Sequence, residues 1–127
     1  MKYYINTTVK TDLETATVRV GEELQKEGFG IVTQFDVNKA LKEKLNMDFR
    51  PYRILGACNP AFAVRSINAE DKIGTILPCN VMLQSVEKGT EIAIINPRSM
   101  VKDIDNAEMQ AVAEEIFEKL QRVINNL

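Results

Sequence analysis

Near the C-terminus, Met109, Val112, Ala113, Ile116, Phe117, Leu120 and Ile124 recur at helical spacing over about four turns. A stripe of that length is unfavourable in water, so the chain needs a second layer of apolar surface to lay against it. Asp105 and Glu108, three residues apart, read as the capping box that starts this helix. What precedes it is mostly strand-like, so the natural second layer is a sheet.

The strands can be placed in order. Lys2 to Val9 is rich in β-branched and aromatic residues and reads as a first strand. Thr11 and Glu14 predict a capping box, Leu13, Ala16, Val20 and Leu24 a helical stripe, and Gly28 a left-handed stop, giving a first helix over Asp12 to Glu27. Phe29 to Val37 reads as a second strand with Ile31, Phe35 and Val37 on the apolar face and Gln34 and Asp36 on the other. A short helix follows, with Ala40, Leu41 and Leu45 inward and Lys39, Lys42, Glu43 and Lys44 in solvent. After a turn over Met47 to Pro51, Tyr52 to Cys58 reads as a third strand. Asn59 as N-cap and Pro60 at the first helical position start a helix running to about Ala69. A loop through Asp71 and Gly74 leads to Leu77-Pro78-Cys79-Asn80, then Val81 to Val86 and Thr90 to Ile95 flank Glu87-Lys88-Gly89 as a hairpin. Asn96-Pro97-Arg98-Ser99 reads as a turn.

This order does not alternate strand and helix regularly, so the expected class is α+β. The expected architecture is two-layer, a mostly antiparallel five-stranded sheet covered by the first and last helices, with residues 1–127 as a single domain.

Composition narrows the chemistry. There is no histidine, which excludes Ser-His-Asp and Cys-His catalysis and every histidine-ligated metal site. Lys plus Arg total 16 against 18 Asp plus Glu, a net charge of −2 without the basic surplus that binding nucleic acid demands. The N-terminus turns polar at Asn6-Thr7-Thr8, too early for a signal peptide, so a cytoplasmic location is expected. The longest apolar runs, such as Ile92 to Ile95, are strand-sized, so no membrane association is expected. Two cysteines, Cys58 and Cys79, form no metal-ligand spacing, and a structural disulfide is not expected. A zinc-like shell on two thiolates would need carboxylates, water or a second subunit, four cysteines sufficing across a dimer axis, so neither metal nor cofactor is expected.

These cysteines mark the candidate site. If the third and fourth strands are antiparallel neighbours, Cys58 and Cys79 meet at one edge of the sheet. Cys58 would then face the N–H groups of the helix starting at Pro60, which favour a thiolate or a bound anion. Gly56 and Ala57 leave room for a ligand near the backbone, and Asn59 and Asn80 offer amides. Pro60 and Pro78 border the region, and Arg50, Tyr52 and Arg53 are secondary candidates to grip an anionic ligand at its mouth. Against this stands plain structure: free cysteines are usually buried, Asn59 serves as a cap, the prolines punctuate and exposed arginines line a wet sheet face.

The segments Tyr52-Arg53-Ile54-Leu55-Gly56-Ala57-Cys58-Asn59-Pro60 and Leu77-Pro78-Cys79-Asn80-Val81, with Gly74 between them, resemble the bacterial and archaeal family called domain of unknown function 302. The resemblance extends over essentially the whole chain. It implies a strand, helix, four strands and helix in a TATA-binding-protein-like arrangement, which carries no implication of DNA binding. It also implies a homodimer, and no biochemical activity is established for the family as a whole. Three functions therefore compete. One is a small binding or accessory domain whose pocket for a small molecule or partner is built from Gly56, Ala57, Asn59, Pro60, Pro78, Asn80 and Arg53. Another is a thiol-dependent redox or sulfur-transfer enzyme in which Cys58 reacts and Cys79 resolves. The last is a structural module with inert, buried thiols.

Overall fold

The computed structural model describes residues 1–127. Five strands, β1 (Tyr4–Val9), β2 (Gly30–Asp36), β3 (Tyr52–Cys58), β4 (Cys79–Val86) and β5 (Gly89–Ile95), form one sheet in the order β1-β5-β4-β3-β2, every pair antiparallel. The α+β sheet architecture expected from the sequence is therefore present. Five helices accompany it: α1 (Leu13–Lys26), α2 (Val37–Leu45), α3 (Pro60–Ala69), α4 (Pro97–Val101) and α5 (Ala107–Asn125), with a 3₁₀ turn over Asp71–Ile76.

α1 and α5 lie on one face of the sheet. Ala16, Val20 and Leu24 of α1 and Val112, Ile116, Leu120, Val123 and Ile124 of α5 pack with Leu55, Val81, Leu83, Ile92 and Ile94 from the strands. Burial of these side chains is the main stabilising force, each valine, leucine and isoleucine contributing on the order of 1.5–3 kcal/mol. Val123 joins the stripe read from sequence, while Phe117 stays half-buried at its edge under the Arg98 guanidinium. A smaller cluster of Ile73, Val101, Met109 and Ala113 seals the far end of α5.

Both expected helix caps move by one residue. Asp12, not Thr11, caps α1 by accepting from the Thr15 amide at 2.7 Å. The Thr11 carbonyl is instead used by the Thr90 hydroxyl at 2.9 Å. Asn106, not Asp105, caps α5, accepting from the Met109 amide at 2.9 Å while its own amide donates to the Ala69 carbonyl at 2.9 Å. An asparagine can do both, which a carboxylate cannot. The segment read as a turn at Asn96-Pro97-Arg98-Ser99 is the start of α4, because the Asn96 side chain accepts from the Arg98 amide.

The second strand departs most from expectation. Ile31 and Phe35 do not face the core; both are exposed, and so is Leu45 of α2. Phe35 lies opposite Ile54 and Gln34 opposite Leu55, so Phe35 turns to the uncovered side and Gln34 to the helix side, whereas Ile31, beyond the register slip, lies opposite Ala57 at the open edge of the sheet. The reason is Asp36, whose carboxylate is the partner of Arg53, a residue only 5% exposed.

Candidate functional site

Antiparallel pairing of β3 with β4 sets Ala57 opposite Cys79, so the end of one strand and the start of the next meet at the same end of the sheet. α3 begins two residues after Cys58, its first turn opened by Asn59 and Pro60. The chain then returns through the 3₁₀ turn and Leu77-Pro78, whose peptide bond is cis, into β4. α3 and this return leave a cavity of about 390 Å³ against the ends of β2, β3 and β4.

The wall of that cavity is largely apolar. Phe29, Val32, Phe62, Ile67, Leu77 and Ile116 supply most of it, and Ala57, Cys58, Asn59, Pro78 and Cys79 complete the strand-end side. Val32 reaches it from an irregularity in β2, where the register slips between Ile31 and Thr33. No charged residue lines it.

Among the residues singled out from sequence, Ala57, Cys58, Asn59, Pro78 and Cys79 are brought together here. The others are placed elsewhere. Pro60 is exposed at the first position of α3, outside the cavity. Asn80 is exposed and points to the opposite face of the sheet, where it borders a separate groove of about 370 Å³ with Tyr4, Tyr52 and Met82. Gly56 does not open space for a ligand. A side chain there would overlap the Thr33 hydroxyl and sit 2.7 Å from Pro78 Cγ, so the space beside it is already filled by its neighbours. Asn59 occupies the N-cap position but makes no cap hydrogen bond; its amide donates to the Glu27 carbonyl at 3.3 Å and ties α3 to the end of α1. Gly28, at φ +87°, leaves the room that this amide needs.

Arg53 lies at the other end of β3 and does not reach the cavity. Its Nε donates to Asp36 at 2.6 Å, one terminal nitrogen to Glu14 at 2.8 Å and the other to the Thr17 hydroxyl at 3.0 Å. These bonds hold the Asp36 and Glu14 carboxyls below the usual carboxylate range, the hydrogen bond to Arg53 being the larger cause in each. An arginine so buried and so engaged, with two carboxylates already at its guanidinium, is a structural clamp and not a site for a further anion. Arg50 also stays on the sheet surface, donating to Gln84 at 2.9 Å with its guanidinium stacked 4.6 Å from the Phe49 ring.

The two cysteines are free and differ in setting. Cys58 is half-buried, whereas burial, with a smaller contribution from Cys58, pushes the Cys79 thiol up to about 11. Cys79 is thus a protonated, apolar wall group at neutral pH.

Sequence reading missed the α3 side of the cavity. Phe62 and Ser66, one helical turn apart, are both buried residues of α3 and both line the cavity. The signal was there in their i, i+4 spacing, but the short helix had been read only for its start.

The family model described as domain of unknown function DUF302 matches residues 5–127. A solved structure described as an uncharacterised conserved protein DUF302 from Bacillus stearothermophilus superposes with a TM-score of 0.91 at 29% identity, covering 98% of each chain. No curated protein matches the chain.

Proposed function

The chain belongs to the DUF302 family, whose name carries no activity, and from that premise we propose that it is a small binding module with the α3 cavity as its ligand pocket. The observation that supports this most directly is the cavity itself: about 390 Å³ of largely apolar space without a charged wall residue, within the range of roughly 300–1,000 Å³ usual for small-molecule sites. Thiol chemistry is the weaker reading, because a Cys79 thiol pushed up to about 11 is not a ready resolving thiolate at neutral pH. Purely structural cysteines would leave Cys58 buried, whereas it is half-buried at the cavity wall.

The test uses Cys58 as reporter. A neutral apolar fluorophore, N-phenyl-1-naphthylamine, should bind and slow alkylation of Cys58 at least about fivefold, the consequence of covering a thiol that reacts only when accessible. Ala63→Trp, which pushes an indole into the same space, should weaken fluorophore binding and protect Cys58 by itself. Cys79 should be modified only after unfolding. Mass-resolved peptide analysis reads all three, and a fluorophore that binds without protecting Cys58 would place the pocket elsewhere.

Association of two copies, implied by the family resemblance, belongs to the same proposal. The sheet face opposite α1 and α5 carries half-buried Tyr4, Ile54, Met82, Ala93 and Ile95. Arg50 and Glu91 flank Gln84 there, so the face carries both signs of charge and can be self-complementary about a two-fold axis through Gln84. Sedimentation equilibrium should give twice the 14.3 kDa chain mass, and Met82→Asp should return the monomer with an unchanged circular dichroism spectrum. A wild-type chain that sediments as a monomer across the micromolar range removes this part of the proposal.

A further inference from the structure

Two hydroxyls line the α3 cavity without a hydrogen bond to the chain, Thr33 on the exposed edge strand and Ser66 on α3. Ser66, on the inward side of α3, is only 3% exposed. Serine and threonine inside a helix commonly donate back to the carbonyl four residues earlier. Thr17 of α1 does so, to Leu13 at 2.7 Å. Ser66 does not: its backbone carbonyl accepts from the Glu70 amide, while its hydroxyl makes no hydrogen bond within the chain and is not sealed off either, since no fully buried side-chain oxygen is left without a partner. The hydroxyl is therefore reached from the cavity, and any molecule that displaces water there must either give it a partner or leave it unpaired at a cost.

The position of Ser66 gives that partner a direction. Together with Leu77, Cys79 and Ile116 it forms the wall between the main cavity and a smaller void of about 30 Å³ lined further in by Met100 and Met109. It therefore marks the inner end of the pocket, away from Val32 at the edge strand. Around it are side chains that carry no charge, and Cys79 is a neutral thiol at pH 7. A carboxylate, phosphate or ammonium brought here would lose its hydration without a counter-charge.

We infer that the pocket takes an uncharged, mainly apolar molecule bearing a single hydroxyl or carbonyl oxygen, and that the Ser66 hydroxyl binds this oxygen at the inner end. This rests on the reading of the cavity as a ligand site. Ser66 is the specificity residue in this arrangement, and the apolar wall supplies the bulk of the affinity.

Three matched probes separate the possibilities: ethylbenzene, 4-ethylphenol and 4-ethylbenzoate, each titrated against the wild-type chain and Ser66→Ala by calorimetry and by amide chemical shifts of α3. Alanine is the better helix former, so the variant retains α3. Wild type should prefer 4-ethylphenol to ethylbenzene by about 2- to 10-fold, the worth of one hydrogen bond, and should bind 4-ethylbenzoate most weakly. Ser66→Ala should lose the preference for the phenol while binding ethylbenzene at least as tightly. If the phenol is favoured equally in both proteins, Ser66 is not the anchor and the inference falls while the pocket stands. If 4-ethylbenzoate binds best, the neutral ligand class is wrong. If no probe perturbs α3, the pocket reading itself fails and this inference goes with it.

Discussion

Replacing Gly89 with alanine should lower the melting temperature by more than about 10 °C, a loss of roughly 3–5 kcal/mol when backbone strain and overpacking are combined. Gly89 follows the two-residue turn Glu87-Lys88 and holds φ +139°, a region that side chains rarely enter. The added Cβ would overlap the Val9 carbonyl oxygen and lie 3.0 Å from both Lys10 Cα and the Thr11 amide nitrogen. These are backbone atoms of the link between β1 and α1, and they cannot rotate away as a side chain does. Relief would require β1 to part from β5, whose pairing runs through Val9 and Thr90. The same change at Gly21, in the middle of α1 with open space around it, should instead raise stability by about 0.5–1 kcal/mol. Thermal melts of the two variants beside wild type read the contrast. A Gly89→Ala protein that melts within a few degrees of wild type would mean that the hairpin closes without this backbone approach.

Features that depend on neighbouring residues were readable from the chain. Tyr52 to Cys58 and Pro60 to Ala69 emerge at the boundaries expected, because a mostly apolar run opened by Tyr52 and followed by Asn-Pro leaves few alternatives. The stripe of α5 and the turn before Gly89 follow the same logic. The caps at Asp12 and Asn106 each sit beside another good cap, and the choice between neighbours depends on remote groups such as Thr90 and Ala69. No local rule supplies those.

The inverted face of β2 has a longer-range cause. Period-two alternation placed Ile31 and Phe35 inward, since apolar side chains usually define the buried face. Yet the same alternation in β3 aligns Arg53 with Leu55 and Ala57, on the face that meets the helices. A buried arginine there needs a carboxylate on the adjacent strand, and Asp36 supplies it, which turns Phe35 outward and fixes the faces of β2 as far back as Thr33, where the register slips. The candidate site shows the same division. Joining Cys58 to Cys79 needed only the guess of an antiparallel pair, while the opposite wall, built by Phe62, Ser66 and Ile116, required the position of α3 over the strand ends.

Arg53→Met should cost about 2–4 kcal/mol, somewhat less than the breaking of a fully buried pair because Glu14 remains in water. Methionine retains the aliphatic length of the side chain, so the loss comes from the polar partners. Asp36, whose side chain is 14% exposed, would be left with only Gln34 and Lys39 at 3.3 and 3.4 Å, and Thr17 would lose the donor at its hydroxyl. The effect carries a pH signature. The carboxyl of Asp36 titrates below its ordinary value of about 3.9 in the folded chain, chiefly through the Arg53 hydrogen bond. A depressed carboxyl contributes stability that is complete above the unfolded value and is lost as pH falls through the lower folded one. The gap between wild type and Arg53→Met should therefore stay constant from pH 5 to 7 and narrow below about pH 4. Adding Asp36→Asn removes the orphaned charge and should recover part of the loss at neutral pH, since the penalty lies in the uncompensated carboxylate more than in the missing bond. Urea unfolding of the single and double variants across this pH range measures both effects. A gap that persists unchanged at pH 3, together with a double variant no more stable than the single one, would assign Arg53 a packing role and leave the orientation of β2 without its electrostatic cause.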